Sequence, residues 1–246
     1  MRDVLLSVAL LATWTLLASP RPVLAVAPPA AAKAAADDQY QLGLGHYKQK
    51  RWALAVEHLG KFLKVSPRDP RVPSVRLLLG VSLTQLEKYS RARDELQRLV
   101  KDHPKDRNRT AALFRIGVCS FLLEEYKLAE RQLQSYLKAA PKHALRNWGQ
   151  LYLADSQRLQ GRPDTAETVY RKSLVEFPKS QLVSELKFGL AACCQANNKL
   201  AEAREIYNEL SQSKDLGHAA NALSQLGSLE FEAGRFTEAA DTWDQL

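Results

Sequence analysis

Along most of the chain an apolar residue directly followed by a small one recurs at a fixed interval: Leu42-Gly43, Leu79-Gly80, Ile116-Gly117, Leu153-Ala154, Leu190-Ala191 and Leu226-Gly227. Twelve residues after each small residue stands an alanine, at Ala55, Ala92, Ala129, Ala166, Ala203 and Ala239. Three residues before that alanine comes Trp52, Tyr89, Tyr126, Pro163, Leu200 or Phe236, bulky in five of the six. The blocks are rich in Leu, Ala, Gln, Glu, Lys and Arg and contain no convincing β-branched alternation, so each predicts a pair of helices. The small residue lets the two helices cross closely, and the bulky one suits the junction between them. Six blocks follow, with helical starts predicted at Ala36, Pro73, Thr110, Asn147, Ser184 and Ala220, spaced by 37 residues four times and by 36 once. Pro67, Pro104, Pro141 and Pro178 close the second helices of the first four blocks, because proline cannot continue a helix. One pair of helices cannot bury its apolar face alone, so neighbouring pairs are expected to stack around one elongated core.

These small, alanine, aromatic and proline positions resemble the tetratricopeptide-repeat (TPR) superfamily over residues 36–246, with about three residues more than the usual ~34 per unit. The resemblance implies an all-α fold, a right-handed α-solenoid of about six helix-turn-helix repeats, the last incomplete. The fifth block departs from the pattern: Asp215 stands where the closing proline would be, Leu200 replaces the aromatic, and Asn197-Asn198 occupies the turn. Asn tolerates left-handed backbone, so the departure touches only local geometry. The longer period and the polar or basic linkers after each proline are similar to bacterial periplasmic and outer-membrane-associated members, of the Tol–Pal and outer-membrane-assembly kinds. What this implies is a non-catalytic protein- or peptide-binding scaffold of the cell envelope. An alternative expectation comes from the final residue, which falls inside the second helix of block six: the chain would then be the N-terminal interaction arm of a larger envelope enzyme or receptor, truncated at residue 246.

The N-terminus supports export. Residues 1–25 read as a signal peptide, with an apolar run from Val4 to Ser19 and small residues that place cleavage after Ala25. That run is shorter than the roughly 20 residues that span a bilayer, which favours a removed signal over a retained anchor. Residues 26–35 form an Ala/Pro-rich lead, and no cysteine follows the cleavage site, so a lipid anchor is not expected. A periplasmic or outer-membrane-associated location follows. Only Cys119, Cys193 and Cys194 are present, and they read as small buried hydrophobes rather than a disulfide framework.

In TPR-like stacks the first helices line a concave groove, and positions 2, 5, 9 and 12 of each repeat point into it. That places Tyr40, Leu44, Tyr47, Leu77, Val81, Phe114, Val118, Phe121, Trp148, Leu151, Asp155, Arg158 and Phe188 as candidate partner-binding residues, largely apolar and aromatic. Exposed apolar surface of that kind suits a helix laid in a groove. The Lys and Asn positions that clamp a terminal carboxylate in some members of the family are absent. Charge refines the picture, because the net +8 is unevenly spread. Residues 61–110 carry 13 Lys and Arg against 6 Asp and Glu, a local +7, whereas residues 201–246 carry 3 against 9, a local −6. The basic repeats one to three therefore suit an acidic partner or an anionic surface. Nucleic acid is not expected of an exported protein. Glycine-rich phosphate loops, a Gly-x-Ser-x-Gly elbow and Cys-x-x-Cys pairs are missing, and the five histidines are scattered, so the sequence calls for no catalytic residue, metal or cofactor.

Overall fold

The computed structural model describes residues 29–246, so the signal-peptide reading of residues 1–25 lies outside the described residues. Twelve α-helices follow one another, with no strand among the described residues. They are α1 (Pro29–Lys48), α2 (Trp52–Val65), α3 (Val72–Gln85), α4 (Tyr89–Asp102), α5 (Arg109–Leu122), α6 (Tyr126–Ala139), α7 (Arg146–Leu159), α8 (Pro163–Glu176), α9 (Val183–Ala196), α10 (Leu200–Ser211), α11 (Leu216–Glu232) and α12 (Phe236–Trp243). Each helix packs chiefly on its chain neighbours, which makes the molecule a solenoid of six helix pairs. The first helices of blocks two to five start one residue before the positions expected from the repeat. Every second helix starts on the residue that stands three places before the block's alanine, from Trp52 to Phe236 and including Pro163. In three blocks that residue meets an aromatic ring near the end of its partner helix: Tyr47 with Trp52, Phe121 with Tyr126, and Phe231 with Phe236.

Two starts differ from expectation by several residues. Helix α1 begins at Pro29, so most of the Ala/Pro-rich lead is helical, consistent with proline at a first helical position and an Ala-rich run behind it. Helix α11 begins at Leu216 rather than near Ala220 because Asp215 caps it, accepting the backbone N–H of Gly217 at 2.9 Å and of His218 at 3.1 Å. That carboxylate satisfies N–H groups that no helical carbonyl reaches, so the helix can start a turn early.

The residues added between blocks form a recurring turn. After the proline, a side chain accepts the backbone N–H two residues on: Asp69 from Arg71 at 2.8 Å, Asp106 from Asn108 at 2.7 Å, His143 from Leu145 at 3.3 Å and Ser180 from Leu182 at 3.1 Å. Within each block the tight turn before the second helix places one residue in left-handed backbone: Lys50, Glu87, Glu124, Gly161, Asn198 and Gly234. Three of these are Lys or Glu, for which that conformation is unfavourable.

The small residues do what their spacing implies. A Cβ added to Gly43, Gly80 or Gly117 would come within 2.8 Å of Leu59, Leu96 or Leu133 respectively, the buried leucine one turn beyond the block's alanine. All six alanines of the repeat, from Ala55 to Ala239, are fully buried. Between blocks, ion pairs reach from one second helix to the N-terminal end of the next. Arg93 binds Glu125, Glu130 binds Arg162, and Glu167 binds Lys199 at 2.7 Å. The sign of the pair reverses after the first of these, so a block displaced by one place would bring some like charges together.

Candidate functional site

On the face formed by the first helices, two adjoining pockets open. The larger, of about 450 Å³, spans blocks two to four and is lined by Tyr89, Phe114, Arg115, Val118, Trp148 and Tyr152, with Thr84, Gln85 and Glu87 at one edge. The second, of about 360 Å³, spans blocks four to six and is lined by Tyr152, Asp155, Arg158, Glu185, Phe188 and His218. Tyr152 belongs to both and forms the ridge between them. Its ring packs on Phe121 at 5.1 Å between centroids, and on Phe114 and Trp148 at 6.3 Å. Burial and the nearby Asp155 charge push its phenol above its ordinary pKa, so it presents a neutral hydroxyl on an apolar wall.

The sequence-derived positions fall into lining, floor and residues outside both pockets, among them Phe121, which packs on Tyr152. Trp148, Val118, Asp155, Arg158 and Phe188 line the pockets as half-buried side chains. Phe114 and Leu151 also line them but are buried, and Val81 is buried as well, so these three belong to the core under the face rather than to an exposed surface. In block one Tyr40 packs on Phe62 and lies under the Arg71 guanidinium, 4.8 Å from its ring centroid. Tyr47 meets Trp52, Leu77 packs against the same core cluster, and Leu44 is half-buried beside them. None of Tyr40, Leu44, Tyr47 and Leu77 lines either pocket.

Arg115 and Tyr152 were not on the sequence-derived face. Both sit at position 6 of their repeats, and Gln85 and Leu122, which also line the larger pocket, sit at position 13. Positions 2, 6, 9 and 13 form one stripe of a helix, turned by about 50° from the stripe of positions 2, 5, 9 and 12. An i, i+4, i+7, i+11 count from Ala111 or Trp148 is the sequence signal that would have found them.

The charged groups of the two pockets behave differently. Asp155 and Arg158 are tied together at 3.2 Å, and the buried Tyr170 hydroxyl donates to the same Asp155 oxygen at 2.6 Å. Burial drives the Tyr170 phenol far above its ordinary range, so it remains a donor at every working pH. His218 lies 3.9 Å from Glu185 and 3.6 Å from Asp215. Arg115, by contrast, makes no hydrogen bond or ion pair among the described residues. Burial lowers its pKa, and the groups that favour its charge are only the Tyr47 phenol and the Cys119 thiol.

One cluster away from this face has ligand-type atoms. Glu167, Cys194 and Glu202 come within 4.8 Å of one another. Arg171 already donates to all three, at 2.8 Å to Glu167, 3.8 Å to Cys194 and 2.7 Å to Glu202, and Lys199 adds two bonds to Glu167. Burial opposes the Glu167 charge, but the bonds from Lys199, Arg171 and Asn197 outweigh it and hold the carboxyl at about 2. Resident cations thus take the place a metal ion would need. The cysteines are buried and free, and burial raises Cys193 to about 12 and Cys194 to about 11, which removes thiolate chemistry near neutral pH.

Solved structures share the architecture. PilF of Pseudomonas aeruginosa aligns with a TM-score of 0.64 at 18% identity, over 88% of this chain and 92% of its own. A double mutant of MamA from RS-1 aligns with a TM-score of 0.61 at 18% identity, over 74% and 98%. TTC0263, a thermophilic TPR protein of Thermus thermophilus, aligns with a TM-score of 0.55 at 20% identity, over 78% and 98%. At these identities the likeness is one of fold. No curated protein sequence matches the chain. Two sequence models of the tetratricopeptide repeat do match, one at residues 40–107, 77–144 and 195–246 and the other at residues 149–180. With repeat models matched over most of its length and a solenoid of six helix pairs beneath them, the chain belongs to the tetratricopeptide repeat family.

Proposed function

We propose that this protein is a non-catalytic scaffold of the cell envelope that holds a protein segment along the face of its first helices, across blocks two to six. The observation that carries the reading is the pair of adjoining pockets sharing the Tyr152 ridge, whose walls combine half-buried aromatic rings with a few charged groups. Large partly exposed rings beside convergent polar groups are what a recognition groove needs, because the rings supply area and the polar groups supply register. Tetratricopeptide repeat proteins in general bind other proteins, which fits a site built from surface shape rather than from a nucleophile and its base. The envelope location rests on the apolar run Val4–Ser19 and the small residues that follow it.

The test targets the ridge and not the floor. Phe114 is buried, so its removal would damage the core, whereas Trp148 and Tyr152 are half-buried. In the paired variant Trp148→Ala, Tyr152→Ala, capture of partners from an envelope extract should fall at least tenfold, read by quantitative mass spectrometry, with the far-ultraviolet circular dichroism unchanged. Undiminished capture by the folded variant would remove the face of the first helices as the binding site.

A further inference from the structure

We infer that the larger pocket is a specificity pocket for an internal acidic side chain, an Asp or Glu flanked by an apolar or aromatic residue, and that Arg115 is the residue that selects it. The inference rests on the proposed peptide-binding role of this face and adds the chemistry of what is read there. Arg115 lines the pocket between blocks two and four, among Tyr89, Phe114, Val118, Trp148 and Tyr152. It is a half-buried cation beside rings and aliphatic side chains, with no carboxylate bound to it among the described residues. Several arginines of the surrounding blocks are engaged by carboxylates: Arg76 by Glu95, Arg93 by Glu125, Arg146 by Glu176, and Arg158 by Asp155. Holding a half-buried guanidinium without a partner costs stability, so such a group is a poor structural choice and a good recognition element.

The pocket's shape and surroundings narrow the ligand. A guanidinium offers several N–H donors in a planar fork that matches a carboxylate, and the bond strengthens where water is excluded. The aromatic lining, Trp148 and Tyr152 stacked at 6.3 Å together with Tyr89, leaves room for an apolar side chain next to that carboxylate. The flanking segment 61–110 carries a local charge of +7, which draws an acidic segment to this end of the solenoid. Glu87 stands exposed at the edge of the pocket and repels a ligand with several adjacent charges, which favours one acidic residue among apolar neighbours over a polyacidic run. The second pocket lacks the feature that decides the matter, since Arg158 is already neutralised by Asp155.

Two displayed libraries of random dodecapeptides test the proposal, selected on the folded protein from residue 26 onward. In one, each peptide is fused at both ends, so every carboxylate is a side chain; in the other the C-terminus is free. Wild-type protein should enrich, from the doubly fused library, peptides with one Asp or Glu beside an apolar or aromatic residue. For synthetic versions, Arg115→Met should weaken binding by about tenfold or more, and replacing the peptide's Glu by Gln should cost the same, with no further loss when both changes are combined. Arg115→Glu should select Lys or Arg at that place instead. Because Arg115→Met removes an unpartnered half-buried charge and keeps its stem, its melting temperature should stay equal to or above that of the wild type. Enriched peptides that need Trp148 and Tyr152 but carry no acidic preference would overturn the role of Arg115 and leave the groove standing. Enrichment confined to the free-terminus library would overturn the side-chain source in favour of a terminal carboxylate. Peptides indifferent to both Trp148→Ala and Arg115→Met, or no enriched peptide from either library, would count against the groove and the specificity pocket together.

Discussion

Replacing Gly117 by alanine tests the packing that holds each helix pair together. The added Cβ would lie 2.7 Å from Cγ and 2.8 Å from Cδ2 of Leu133, about 1 Å inside ordinary carbon contact at roughly 3.5–4.0 Å. Leu133 is fully buried, and Cγ is the branch point of its side chain, so rotation of a terminal group cannot relieve the clash. The helices α5 and α6 must therefore separate, at about 1–3 kcal/mol for overpacking a core. Alanine returns about 0.5–1 kcal/mol of helix propensity over glycine, leaving a net loss of roughly 1–2 kcal/mol. For a chain of this size that lowers the melting temperature by about 3–6 °C. Leucine at the same place should cost about 3 kcal/mol or more, since three further carbons must be seated. Thermal and urea unfolding followed by circular dichroism at 222 nm provide the measurement. Gly60 supplies the control, because nothing lies within 4 Å of a Cβ built there, and Gly60→Ala should raise stability by about 0.5–1 kcal/mol. A second check is the pair Gly117→Ala, Leu133→Ala, whose cost should fall short of the sum of the single changes by about 1 kcal/mol, because the clash is counted in only one of them. The reasoning fails if Gly117→Ala is as harmless as Gly60→Ala, or if the two changes simply add.

Two further outcomes follow from the turns and the ion pairs. Glu124 holds left-handed backbone at φ 60°, so Glu124→Gly should relieve strain and raise the urea midpoint by an amount equivalent to as much as about 1 kcal/mol, whereas Gly161→Ala, at φ 73°, should lower it by about the same; an opposite sign in both would contradict the turn geometry. Glu167 is held at about 2, below the ordinary carboxyl value of 4.5, so its folded form binds its proton more weakly than the unfolded form does. Its contribution is therefore complete above about pH 4.5 and is lost as the pH falls toward 2. With the exposure of Arg171 and Lys199 discounted, that contribution is about 2 kcal/mol. The stability difference between wild type and Glu167→Gln should be about 2 kcal/mol at pH 6 and less than half of that at pH 3, and a difference that does not change with pH would show that the carboxylate is not what these cations hold.

How much of this was legible beforehand depends on the range of the interaction involved. The spacing from Gly43 to Ala55, repeated through Gly227 and Ala239, determined the helix pairs and their starts in blocks two to five, because close crossing within a pair is a contact between residues near in sequence. The cap of Asp215 on α11 was missed since proline is only one way to end a repeat, and a side chain that accepts N–H groups can start the next helix early. The location of the lining residues depends on a different quantity. Which stripe of a first helix faces the pockets is decided by how each pair sits on the next, and a turn of about 50° brought Arg115 and Tyr152, both at position 6, to the pocket walls. Whether an arginine is free is likewise a property of the assembled stack: Arg93 and Arg115 look alike in the chain, yet only Arg93 meets a carboxylate, that of Glu125 in the following block. The sequence alone determined the repeat, its period and its basic-to-acidic gradient, since these are written in residue spacing and charge. Only the tertiary structure decided which side chains share the pockets and which charge among them is left without a partner, because both follow from the twist between blocks rather than from the pattern within one.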